Sequence, residues 1–175
     1  LAGIPEPYTE TNGYEGGEYM SRTLVAYFSA SGVTAKTAKL LADAAGADLY
    51  EIKAEPLYTK ADLDWRDKTS RSTLEMNDPM SRPAIAEPCA NLAAYDTVFV
   101  GFPIWWYIAP RIIETFLESY DFTGKTIIPF ATSGSSGLGD TEKVLKKCCP
   151  KAVWKPGKLL NGATKASVAA WLKEL

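Results

Sequence analysis

From Arg22 onward, short apolar runs alternate with amphipathic segments, and this alternation constrains the fold more than any other feature. Residues 23–29 (TLVAYFS) form a short apolar run that reads as a buried strand. Residues 34–45 place Ala38, Leu41, Ala42 and Ala45 at helical spacing, and Gly46 follows as a stop. A second strand is expected over 48–52, a third over 97–102 (TVFVGF) and a fourth over 125–131 (KTIIPFA). Pro129 inside the fourth counts mildly against a central position, because proline donates no ladder hydrogen bond. Helices are expected over 109–120, with Pro110 in the first turn, then over 138–149 and 165–175; a weak fifth strand falls at 152–155. Strands that alternate with helices imply right-handed crossovers and a parallel sheet covered on both faces. The fold class is therefore α/β, a doubly wound five-stranded parallel sheet.

Two stretches depart from this rhythm. Residues 53–93 have a candidate short helix at 58–65, a polar run at 66–78, and then Pro79, Pro83 and Pro88 in an extended segment. A connection this long is usually functional or a small subdomain. Residues 1–21 read as an irregular arm ahead of a single domain over 22–175. The arm carries Glu6, Glu10, Glu15 and Glu18 with no Lys or Arg, and lacks the layout of a signal peptide. Met20 would suit a natural start; a removed upstream segment is the alternative.

Composition removes several function classes. The 175-residue chain has no histidine, so no Ser-His-Asp or Cys-His arrangement and no imidazole-ligated metal is available. Chemistry near neutral pH then falls to a bound cofactor. A formal net charge of −2 offers no basic field for nucleic acid, and no run approaches the ~20 apolar residues of a membrane helix. Cys89, Cys148 and Cys149 are odd in number and have no metal-site spacing, which fits reduced thiols in the cytoplasm. Cys148 and Cys149 are a redox pair or, more simply, two small residues that end a helix before Pro150.

In a doubly wound sheet, ligands bind at the carboxyl ends of the strands, where the strand order reverses. That singles out three loops. After the first strand come Ser29, Ala30, Ser31, Gly32, Val33 and Thr34. Three hydroxyls, a glycine turn and free N–H groups at a helix start suit a phosphate dianion without Lys or Arg. The Gly-Lys-Ser/Thr ending of a P-loop is absent, and an ordinary hydroxyl-capped turn would look the same. After the third strand come Pro103, Ile104, Trp105, Trp106 and Tyr107. In an extended segment adjacent indoles face opposite ways, so at least one should reach a pocket or the surface, where it would stack on a flat ring such as isoalloxazine. A hydrophobic clamp or a subunit contact is the other reading. After the fourth strand come Thr132, Ser133, Gly134, Ser135, Ser136 and Gly137, small and polar, suited to the rim of a planar ligand or to a helix cap. A phosphate cradle, an aromatic wall and an amide-rich rim together are what FMN requires.

The loops S-x-S-G-x-T at 29–34, F-P-I-W-W at 102–106 and T-S-G-S-S-G at 132–137 resemble the flavodoxin family, and the resemblance runs from about Arg22 to Leu175. It implies a flavodoxin-like sheet of order 2-1-3-4-5, of the short-chain type with paired tryptophans. It implies FMN, with Ser29, Ser31, Gly32, Val33 and Thr34 on the phosphate. Pro103, Ile104, Trp105 and Trp106 would line the ring, and Thr132, Ser133, Gly134 and Gly137 would border its far edge. No side chain would be catalytic. The implied role is electron transfer with redox partner proteins or a small acceptor. Departures are the near-neutral charge, against the family's strong acidity, and the length of 53–93. An FMN-dependent NAD(P)H:quinone or related oxidoreductase is the alternative, with Trp65, Arg66 and Arg71 available for an acceptor pocket. A non-redox binding module on the same fold is the third. The oligomeric state is left open.

Overall fold

A computed structural model describes residues 22–134 and 136–175; the expected arm at 1–21 lies outside them. The chain runs β1 (Thr23–Tyr27), α1 (Val33–Ala45), β2 (Asp48–Glu51), β3 (Ala54–Glu55), α2 (Arg71–Asn77), β4 (Ala84–Ile85), a 3-10 turn (Leu92–Ala94), β5 (Thr97–Pro103), α3 (Arg111–Glu118), β6 (Thr126–Thr132), α4 (Thr141–Lys146), β7 (Val153–Trp154), β8 (Lys158–Leu159) and α5 (Lys165–Glu174). The main sheet has order β2-β1-β5-β6-β7, with β8 also on β6, and all its pairings are parallel. This is the expected doubly wound sheet. Its numbering is shifted because β3 and β4 form a separate antiparallel pair that the sequence did not suggest.

Side-chain alternation along the strands feeds two cores. Leu24, Ala26 and Phe28, with Val98, Val100 and Phe102, pack beneath α3 and α4. Val25, Tyr27, Phe99, Ile128 and Phe130 pack beneath α1 and α5. Gly101 and Phe130 are register partners on β5 and β6. The Phe130 ring fills the space over Gly101 so closely that an added Cβ would lie 2.1 Å from it.

The expected single fifth strand is instead split into β7 and β8, and Pro129 explains the split. The amide N–H of Lys155 bonds to the Ile127 carbonyl, and that of Leu160 to the Ala131 carbonyl. Odd-numbered residues of β6 thus face the fifth position, and Pro129 faces it without a donor. Opposite it runs the break Lys155-Pro156-Gly157, where a Cβ on Gly157 would lie 2.9 Å from the Pro129 carbonyl oxygen.

Two helix expectations need correction. The helix expected at 58–65 is absent. Thr59 and Asp62 do cap each other, the Thr59 N–H donating to Asp62 Oδ2 at 2.8 Å and the Asp62 N–H to Thr59 Oγ1 at 3.1 Å, but the single turn they start does not propagate: the Asp64 N–H returns to the Ala61 carbonyl, and Asp64 Oδ1 then takes the Arg66 N–H at 3.0 Å. The helix of this segment is α2, capped by Ser70. The helix expected from 138 begins only at Thr141, because Gly139 takes a φ of +55°. The long segment is held to α3 by its charged residues: Arg82 bridges Glu114 and Glu118 at 3.0 Å each, and buried Arg111, paired with Glu114 within α3 at 2.8 Å, donates to the Met76 carbonyl at 3.0 Å. No helix among the described residues is long and apolar enough to cross a membrane.

Candidate functional site

The three loops singled out by the sequence meet at the carboxyl ends of β1, β5 and β6. Each pair is joined by a direct contact. Thr34 Oγ1 and Thr132 Oγ1 lie 2.8 Å apart, joining the first loop to the third. The Phe28 ring meets the Trp105 indole edge to face at 5.6 Å, joining the first to the second. The Ile104 N–H donates to the Thr132 carbonyl at 2.9 Å, joining the second to the third.

The first loop is a tight cradle. Ser29 Oγ accepts from the N–H groups of Gly32 (3.1 Å) and Ala35 (3.2 Å), which closes the turn. Gly32 has a φ of +91°, a conformation that penalises a side chain. Ser31, Gly32 and Val33 are exposed, whereas Thr34 is buried. The N–H groups of Ser31, Val33 and Thr34 find no acceptor among the described residues. Free donors at the start of a 13-residue helix fit an anion.

The second loop is a turn, not an extended segment. Trp105 and Ile108 exchange both backbone hydrogen bonds, N–H to carbonyl, at 2.9 and 3.1 Å. Trp106 and Tyr107 between them have φ values of +46° and +67°, the geometry of a type I′ turn. Aromatic side chains are rarely held there, since left-handed backbone costs a β-carbon about 1–2 kcal/mol. The two indoles therefore have different surroundings. Trp105 is half-buried and meets Phe28 and Tyr58, with ring centroids 5.6 and 5.5 Å away. Trp106 and Tyr107 are exposed.

Tyr58 is itself braced. Its hydroxyl donates to the Glu75 carboxylate at 2.7 and 2.9 Å, and the Arg71 guanidinium lies 4.0 Å above its ring. Burial, and then the Glu75 hydrogen bond, push the Tyr58 phenol up. Burial likewise raises Glu75.

A cavity of 440 Å³ opens beside these loops, lined by Trp65, Ile104, Trp105, Trp106, Tyr107 and Ser136. None of the six is charged. Of the residues expected at the ring, Ile104, Trp105 and Trp106 line it, while Pro103 is the last residue of β5 just behind. In the third loop Thr132 is buried, and the Ser133 N–H donates to Asn161 Oδ1 at 2.8 Å. The Ser133 hydroxyl donates to the Ser136 carbonyl. Gly134 and Gly137 are exposed on the rim, with open space around them. Sequence reasoning missed Tyr107 and Ser136 as lining residues and the Tyr58 brace. It named Trp65 only for the alternative function, although a run of three aromatics pointed to Tyr107.

A solved structure of a candidate flavoprotein from Bacteroides uniformis is similar over 87% of this chain and 98% of its own, with 56% identity and a TM-score of 0.85. A flavoprotein from Lactobacillus acidophilus, solved in complex with FMN, shares the fold at 20% identity and a TM-score of 0.64, over 79% of this chain and 93% of its own. The uncharacterized NAD(P)H oxidoreductase YcaK of Escherichia coli is 28% identical over 72 residues; the match spans 41% of this chain but only 32% of YcaK. Residues 22–175 match the flavodoxin family, and the chain belongs to it.

Proposed function

We propose that this chain binds FMN at the shared edge of the three loops and carries electrons on it. The observation that carries this reading is the joining of a donor-rich helix start to an uncharged aromatic cavity through Thr34–Thr132 and Phe28–Trp105. The residues fit the group. The free N–H groups of Ser31, Val33 and Thr34, with the Ser31 hydroxyl, would hold the phosphate. Ile104, Trp105 and Trp106 would face the ring, and the backbone of Ser133, Gly134 and Gly137 would border it. A single phosphate cradle at a helix start among the described residues favours FMN over FAD. Family membership and the FMN complex of the Lactobacillus acidophilus protein support the same cofactor.

When bound, the flavin supplies one- and two-electron redox chemistry; the chain supplies binding and environment. The uncharged walls keep water and counter-ions from part of the ring. Partners are redox proteins or a small acceptor, in a reducing cytoplasm that suits the three free thiols. Stepwise reduction tests the carrier role. Two well-separated one-electron potentials are expected, and a single two-electron wave with rapid NADPH oxidation would replace the carrier with an enzyme.

A second reading rests on Trp65. It is 68% exposed and lines the same cavity as Trp106, so the site offers two planar surfaces. A reductase would use the second for nicotinamide or a flat acceptor, and the partial match to an NAD(P)H oxidoreductase favours it. Mixing the FMN-loaded protein with NADPH and a quinone decides: flavin-dependent turnover supports the reductase.

A further inference from the structure

We propose that the lysine face of α4, formed by Lys143, Lys146 and the C-cap residue Lys147, is the docking surface for an acidic redox protein. This rests on the carrier reading and names its class of partner. The charge of the chain is strongly divided. Residues 141–175 hold eight lysines against Glu142 and Glu174, whereas residues 22–140 hold fifteen acidic groups against eleven basic ones. Lys143, Lys146 and Lys147 stand three and four positions apart, so they share one helix face, and all are exposed. Only Lys146 has an ion-pair partner among the described residues, Glu142 at a loose 3.9 Å. Such an exposed pair neutralises little.

Among the described residues, neighbouring acids do not cancel the face. α4 packs on α3, whose Glu114 and Glu118 are already bound by Arg82 and Arg111. Asp140 and Glu142 remain at the helix start, against three lysines. The face also adjoins the candidate flavin site. Lys143 and Lys146 line a hollow that begins at Leu138 and Gly139. Gly139 in turn abuts the carbonyl of Tyr107, where an added Cβ would lie 2.5 Å from the oxygen. A partner seated on the lysines would therefore reach the exposed Trp106–Tyr107 turn, whose aromatic residues are of the kind enriched at the centre of protein interfaces. A nucleic acid is disfavoured, because the remainder of the domain is net acidic.

The test is binding of a fluorescently labelled, strongly acidic plant-type [2Fe–2S] ferredoxin to the full chain, with FMN content measured on the same sample. Expected is binding at about 20 mM salt that weakens about tenfold or more by about 200 mM. The triple variant Lys143→Glu/Lys146→Glu/Lys147→Glu should weaken it at least as much and should gain binding to basic cytochrome c. The control Lys165→Glu/Lys173→Glu on α5 should retain ferredoxin binding. Equal binding by wild type and the α4 variant, equal loss in the α5 control, or tighter binding of poly-adenylate RNA than of ferredoxin at the same salt would overturn the proposal. Ferredoxin binding by a protein without FMN would instead count against the carrier reading alone.

Discussion

The hydroxyls of Thr34 and Thr132 meet at 2.8 Å across 98 residues of chain, both nearly sealed from solvent. Whichever donates, the other keeps its own hydrogen, so the pair can fasten two loops and still offer one donor. Thr34→Val alone leaves Thr132 Oγ1 buried without its partner and should cost about 1–3 kcal/mol. Thr34→Val with Thr132→Val should cost clearly less than the sum of the two single changes. Urea unfolding of the four proteins gives the coupling energy, and strict additivity would mean that the pair does not act as a unit.

Ser31→Ala removes an exposed hydroxyl that makes no contact the fold needs. It should weaken FMN by about 1.5–3 kcal/mol, the worth of a hydrogen bond to a charged group, and leave riboflavin affinity unchanged. Calorimetric titration of both ligands checks this. Equal losses would move the phosphate away from the first loop.

The paired tryptophans should separate cleanly. Trp105→Ala breaks the trio with Phe28 and Tyr58 and should cost about 3 kcal/mol of stability. Trp106→Gly removes a cavity wall but also relieves a left-handed backbone, so stability should hold or rise by about 1 kcal/mol while FMN affinity falls. Thermal unfolding of the apoprotein beside FMN titration distinguishes the two effects. Loss of FMN affinity in neither variant would make the wall structural.

Gly101→Ala should destabilise the sheet by at least about 1–3 kcal/mol, because the added methyl meets the Phe130 ring. Phe130→Leu in the same chain should recover part of the loss, as read from denaturant midpoints.

Burial pushes the Cys148 thiol up to about 12 and the Cys149 thiol up to about 11. The thiolate is the reacting form, so a raised value means less of it at any pH below that value. Near pH 8, Cys148 should alkylate about a thousandfold more slowly than a free cysteine, and Cys149 about a hundredfold. The rates should keep climbing as pH rises past the point where a free thiol levels off. Mass spectrometry after iodoacetamide pulses reads both; rapid reaction at pH 8 would contradict it.

Much of this was legible in the sequence. The apolar runs at 23–29, 97–102 and 125–131 became β1, β5 and β6, because buried parallel strands are continuous apolar stretches. The loops that follow them were found from topology alone, and the structure joins them through Thr34, Phe28 and Ile104. What escaped depends on long-range partners. Nothing near Tyr58 announces that it will brace Trp105 from 47 positions away, or that Glu75 will hold its hydroxyl. Trp65 lies in a segment without periodicity, so its place at the cavity follows only from the turns around it. In sequence, Pro129 counts against a central strand. Its resolution, a broken neighbouring strand, needed the hydrogen-bond register.

The most direct test of the FMN site is to strip the purified protein of flavin, titrate it with FMN, and follow indole fluorescence. Expected is one FMN per chain with saturable quenching, much of which disappears in Trp106→Gly, and FMN alone recovered on denaturing the complex. Indole fluorescence unchanged by FMN, or FAD as the recovered flavin, would contradict the assignment.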